Sequence, residues 1–96
     1  MKNKFEYDFE WDEAKRIRNI ELHGVDFMDA SELLDDPNVS IELDTRKDYK
    51  ENRYNAYGIA DGRRLRLCFT IRGKHIRVIS MFKVHEKEWR KHYGND

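Results

Sequence analysis

The chain has 96 residues, of which 40% are charged, 39% hydrophobic and 12% aromatic, and its formal net charge is zero. That length suits a single domain, residues 1–96, with a small core, and the aromatic content argues against disorder. One cysteine, Cys68, excludes an internal disulfide and points to a reducing compartment. No apolar run approaches ~18 residues and the opening MKNKFEYDFEW lacks the apolar stretch of a signal peptide, so a cytoplasmic protein with no membrane partner is expected. The zero total hides an asymmetry. Residues 1–51 carry 15 acidic and 8 basic side chains, and residues 52–96 carry 4 acidic and 11 basic. This is either ordinary scatter over a soluble surface or a polarised molecule whose second half faces phosphate or an acidic partner, and the acidic half weakens any long-range pull on nucleic acid.

Phe5, Tyr7, Phe9 and Trp11 alternate with Glu6, Asp8 and Glu10. This period of two predicts a strand with one aromatic face and one acidic face, the latter solvated or paired with arginines of a neighbouring strand. Asp12 is a good N-cap for a helix whose first turn carries Glu13 and whose buried side is expected to hold Ala14, Ile17 and Ile20. His23-Gly24 reads as its end, with the glycine in the left-handed position and the histidine near the negative end of the dipole. Asp26 caps a second helix through Phe27, Met28, Ala30, Leu33 and Leu34, which Pro37 terminates.

Residues 39–43 alternate as a strand, 44–50 form a polar loop, and 53–60 form the next strand. Asp61-Gly62 is a two-residue hairpin signal leading to a strand at 65–71. A three-residue turn, Arg72-Gly73-Lys74, leads to a strand at 75–81. Residues 82–93 carry Trp89 and Tyr93 four apart and read as a final helix anchored by Trp89. The expected fold is α+β: an antiparallel meander covered by two N-terminal helices, plus a C-terminal helix.

Alternation in 65–71 turns Leu65, Leu67, Phe69 and Ile71 toward the helices and Arg64, Arg66, Cys68, Thr70 and Arg72 to the other side. Arg77 lies opposite Ile76 and Val78. If Arg77 pairs with the Arg66/Thr70 set, one sheet face is cationic, either a solvated surface or a phosphate-contacting one. There is no CxxC, no HExxH and no histidine pair at i, i+4, so neither a metal nor another cofactor is expected. Cys68 has no activating neighbour and reads as a packed side chain. His23 reads as a capping residue, with general-base chemistry as the alternative. A metal-free ribonuclease fits this inventory. RNA supplies its own 2′-hydroxyl nucleophile, and the protein needs cations for the phosphorane-like transition state and a side chain to move protons.

The blocks FEWDEAK (9–15), Asn19 with His23-Gly24-Val25-Asp26-Phe27, Leu34-Asp35-Asp36-Pro37, Gly62-Arg63 and IRVIS (76–80) stand in an order and spacing that resembles the BrnT family of toxins from type II toxin–antitoxin modules. The resemblance implies a fold similar to RelE-type microbial ribonucleases and an endoribonuclease that blocks translation. It also implies a BrnA-like antitoxin with a ribbon-helix-helix domain, through which alone DNA is touched. Arg53, Arg63, Arg72, Arg77 and Lys83 line up with basic positions of the family. By analogy with RelE-like proteins, Lys83, His85 and Tyr93 are the implied catalytic candidates, with Lys83 or His85 carrying protons. Arg53, Arg63, Arg72 and Arg77 are the implied phosphate- and RNA-binding candidates. Met81-Phe82 stands where the family has a small residue and then arginine. A second reading follows from this departure: a catalytically weak module that pairs with a ribbon-helix-helix antitoxin and co-represses its operon.

Overall fold

The computed structural model describes residues 7–94. Its strands are β1 (Asp8–Glu10), β2 (Ser40–Leu43), β3 (Arg53–Ala60), β4 (Arg63–Arg72) and β5 (His75–Lys83), and its helices are α1 (Glu13–His23), α2 (Ala30–Leu34) and α3 (Glu86–His92). A 3-10 turn, Phe27–Asp29, leads into α2. The five strands form one sheet in the order β1-β5-β4-β3-β2. The meander β2–β5 is antiparallel, but β1 joins β5 in parallel, so the sheet is mixed and not purely antiparallel as the sequence suggested. The expected first strand is shorter in the described residues, and its Phe5 and Glu6 lie outside them. A parallel partner requires a long connection back across the sheet, here the whole chain between β1 and β5, and nothing local in the sequence encodes that pairing.

The local chemistry accounts for the element ends. Asp12 Oδ1 accepts from the amides of Ala14 and Lys15 at 2.9 and 3.3 Å, and Gly24 closes α1 at φ 67 with its N–H on the Ile20 carbonyl. Asp26 caps the 3-10 turn through the Met28 amide, and Arg16 reaches back from α1 to grip both Asp26 oxygens at 2.8 and 2.9 Å. That guanidinium, with the Met28 amide, holds the Asp26 carboxyl below the usual carboxylate range. Asp61 and Gly62 both have positive φ, as a tight hairpin of this kind requires. The β4–β5 turn is shorter than the sequence suggested. Arg72 still pairs with His75, so only Gly73 and Lys74 connect the strands. Likewise Phe82 and Lys83 continue the ladder opposite Arg66 and Leu65, which delays α3 to Glu86.

The core lies on one face of the sheet. Leu65, Leu67, Phe69, Ile76, Val78 and Met81 pack there against Val25, Phe27, Ala30, Leu33 and Leu34. α2 approaches β3 closely at Gly58, where a Cβ would stand 2.7 Å from the Leu33 carbonyl oxygen. α1 corrects the sequence reading. Ile17 and Ile20 are 51% and 38% exposed, and the residue α1 buries is Asn19. The reason lies at the edge of β5. β1 covers β5 only from His75 to Arg77, so Met81 presents its backbone to α1. The Asn19 amide donates to the Met81 and Val25 carbonyls at 2.8 Å each and accepts from the Met81 amide at 3.3 Å. A buried strand edge needs such a partner more than α1 needs another aliphatic contact.

Candidate functional site

On the sheet face away from this core, Tyr57, Arg66 and Phe82 stand side by side across β3, β4 and β5. Asn55 and Cys68 form the next row, with Glu42 beside Asn55 on β2. α3 crosses this face. Trp89 and Val84 pack with Tyr57, and Tyr93 stacks on Trp89 at 4.1 Å and donates its hydroxyl to Asp36 at 2.8 Å. Anchored by this aromatic side, the helix turns Glu88 and His92, four residues apart, toward the sheet's polar row.

The result is a polar groove of about 280 Å³ lined by Glu42, Asp44, Arg46, Tyr57, Arg66 and His92, among others. It continues past Arg66 and His92 to His85, Lys87 and Lys91. Arg66 is fixed at its centre. Its Nε donates to Asn55 Oδ1 and its Nη1 to Glu88 Oε2, both at 3.2 Å, and its guanidinium lies 5.2 Å from the centre of the Phe82 ring. Its side chain is 10% exposed, and among the described residues its hydrogen bonds run from Nε and Nη1, with no acceptor on Nη2. The Tyr57 hydroxyl donates to the same Glu88 oxygen at 2.8 Å. Burial, reinforced by Glu88, raises the Tyr57 phenol well above its ordinary value, so it stays a donor at neutral pH. His92 lies flat on Tyr57, with ring centres 4.4 Å apart and 5° between planes, and its Nδ1 is 2.8 Å from Glu42 Oε2. In the groove's lining, Arg46 forks onto buried Asp44 at 3.0 and 2.9 Å and holds its carboxyl well below the usual range. Burial pushes the Cys68 thiol up, so it is a packed side chain and not a thiolate nucleophile.

The residues singled out by sequence fall in different places. His85 lines the groove with Arg66. Arg53, Arg72 and Arg77 share the sheet face of Arg66, because Arg53 and Arg77 both pair with Thr70 and Arg72 pairs with His75. The cationic row is therefore real, but it is not free. Arg53 and Arg72 both hold Glu51, at 3.2 and 3.4 Å, and Arg77 holds Glu10 at 3.0 Å. Arg63 and Lys83 pair with Ala60 and Leu65, on the core side of the sheet. There Arg63 donates to the Gly24 carbonyl at 2.9 Å. Tyr93 is held by Trp89 and Asp36. The structure thus gathers His85 with Arg66, sets Arg53, Arg72 and Arg77 along the same face, and separates Arg63, Lys83 and Tyr93 from them. Sequence reasoning missed Glu42, Tyr57, Glu88 and His92 as site residues. Alternation alone put Arg66 on the polar face, but no sequence signal joins Glu42 to His92. No group of three or more histidine, cysteine or acidic side chains able to hold a metal ion occurs among the described residues.

A family model described as the ribonuclease toxin, BrnT, of type II toxin–antitoxin systems matches residues 11–88. The chain belongs to the BrnT family. Membership makes it a ribonuclease toxin of a type II toxin–antitoxin system and implies an RNA substrate and an antitoxin partner. No curated protein matches the chain. The matched stretch contains the groove residues from Glu42 to Glu88, while His92 lies beyond it. Among the described residues no helix is long and apolar enough to cross a membrane.

Proposed function

We propose that the Arg66 groove is where this BrnT-family toxin cleaves RNA, as a metal-independent endoribonuclease of RelE-like fold that inhibits translation in the cytoplasm. The observation that carries the proposal is the Arg66 fork. Asn55 and Glu88 fix its plane, and Nη2 is left to take a phosphate oxygen. A preorientated guanidinium in a partly dried groove stabilises the charge that grows on phosphorus as the 2′-oxygen attacks. His85 at the groove's rim is the proton donor for the leaving 5′-oxygen. Arg53, Arg72 and Arg77 take flanking phosphates, exchanging carboxylates whose part-exposed ion pairs are worth only about 0–1 kcal/mol each. Lys83, Arg63 and Tyr93 stand outside this machinery. A BrnA-like ribbon-helix-helix antitoxin neutralises the toxin and carries any DNA contact. The test is cleavage of a defined RNA in excess chelator by the parent and by Arg66→Ala. Cleavage that survives chelation and is lost in the variant supports the reading; absence of cleavage by the parent, or its abolition by chelator, overturns it.

One observation favours a second reading, in which the chain is a catalytically weak partner of its antitoxin. Phe82 lies against Arg66, at the position where the resemblance implies an arginine, and Glu88 already neutralises Arg66. Growth arrest on induction together with RNA breakdown by the purified protein separates the two, since the weak module gives neither.

A further inference from the structure

We propose that His92, held by Glu42, is the general base of this groove and takes the proton from the 2′-hydroxyl. The inference rests on the ribonuclease reading and assigns to it a residue beyond the stretch the family model matches. Four observations carry it. The His92 Nδ1 lies 2.8 Å from Glu42 Oε2, a charge-assisted contact that fixes Nδ1 as the protonated nitrogen and leaves Nε2 as the acceptor. The imidazole stacks on Tyr57 at 4.4 Å, so its ring plane is set by β3 and not by the helix end alone. Tyr57 in turn hydrogen-bonds Glu88, the carboxylate that orients Arg66, so base and phosphate clamp are built on one connected network. His92 and Arg66 also line the same groove.

The step balances within the groove. The 2′-hydroxyl proton passes to His92 Nε2 as the 2′-oxygen–phosphorus bond forms. The phosphorus–5′-oxygen bond breaks, and the 5′-oxygen takes a proton from the His85 imidazolium. The products are a 2′,3′-cyclic phosphate and a 5′-hydroxyl. Glu42 touches no reacting atom. It is a positioning residue that holds the tautomer and steadies the imidazolium.

Single-turnover and steady-state cleavage of one defined RNA, in chelator, by the parent, His92→Ala, Glu42→Gln and Glu42→Asp tests the assignment. His92→Ala is expected to lower kcat about 10²-fold or more with KM within about twofold, the range of a lost general base. Added imidazole is expected to restore at least about tenfold of it, a recovery that loss of packing would not show. Glu42→Gln is expected to lower kcat about tenfold, and Glu42→Asp to keep most of it. A parent that cleaves while His92→Ala retains its kcat, or loses it with no response to imidazole, overturns the role of His92 and leaves the ribonuclease reading standing. A parent that cleaves nothing overturns both.

Discussion

Arg66 on β4 and Tyr57 on β3 donate to one and the same oxygen of Glu88, at 3.2 and 2.8 Å. One carboxylate thus locks α3 to the sheet and also cancels the charge of the groove's central cation. Fixing the plane of the guanidinium and neutralising it are opposed requirements. Glu88→Gln separates them, because the amide oxygen still accepts from Arg66 and Tyr57 while the negative charge is gone. The variant is expected to bind a short single-stranded RNA more tightly, with the slope of log affinity against log salt steeper by about 0.7. Its stability should fall by about 1 kcal/mol as the Arg66 ion pair becomes a bond to a neutral oxygen and the Tyr57 bond loses its charged acceptor. Filter binding across a salt series and urea unfolding check the two effects.

Acid stability tests the two depressed carboxylates. Asp44 is buried under the Arg46 fork and Asp26 is gripped by Arg16, and both carboxyls are held below their ordinary values. A carboxyl whose folded pKa is depressed contributes stability that is fully present above its unfolded pKa, about 4, and is lost as pH falls through the folded value. Asp29 opposes them. Burial, with Asp61 and Asp26 near, raises its carboxyl, so its contribution fades as pH rises. Urea unfolding from pH 6 to pH 2 is expected to show a net loss of stability below about pH 4, and Asp44→Asn to flatten that slope while costing about 1–3 kcal/mol at pH 7. An Asp44→Asn curve parallel to the parent's would contradict this.

Much of the frame was legible because its causes are local. Asp12 and Gly24 end a helix by chemistry confined to one turn, and Asp61-Gly62 folds a hairpin by its own backbone preference. The alternation around Arg66 placed it on the polar face before any partner was known. What sequence could not supply were relations between distant segments. The parallel seat of β1 on β5, the Asn19 clasp on Met81 and the Glu42–His92 contact span separations over which no periodicity carries information. The cationic row illustrates both sides. Its placement followed from strand alternation, but its neutralisation by Glu10 and Glu51 needed the tertiary fold.

Gly58 is required by contact and not by backbone conformation. A Cβ there would meet the Leu33 carbonyl oxygen at 2.7 Å and the Leu33 side chain at 3.0 and 3.1 Å. The oxygen belongs to the backbone of α2 and cannot step aside alone, so the helix must lift from β3. Gly58→Ala is expected to cost about 1–3 kcal/mol, the range of an overpacked core, with a fall in melting temperature and no change in net charge. Thermal unfolding of the variant checks it, and an unchanged melting temperature would mean that α2 is not seated as described.

Asn19 offers the sharpest separation between sequence pattern and structural role. Its amide serves the Met81 carbonyl, the Met81 amide and the Val25 carbonyl from inside α1, standing where a neighbouring strand would otherwise pair with β5. Replacing it with leucine looks favourable on a helix wheel, since it adds an aliphatic group to the buried side of α1. The backbone groups of Met81 and Val25 would then be buried without partners, each at a cost of about 1–3 kcal/mol. Asn19→Leu is therefore expected to destabilise the fold by several kcal/mol despite its added apolar area, and Asn19→Asp to destabilise it too, because a carboxylate cannot donate to either carbonyl. Urea unfolding reads the loss, and hydrogen exchange at the Met81 amide localises it. A leucine variant as stable as the parent would show that the edge of β5 needs no partner.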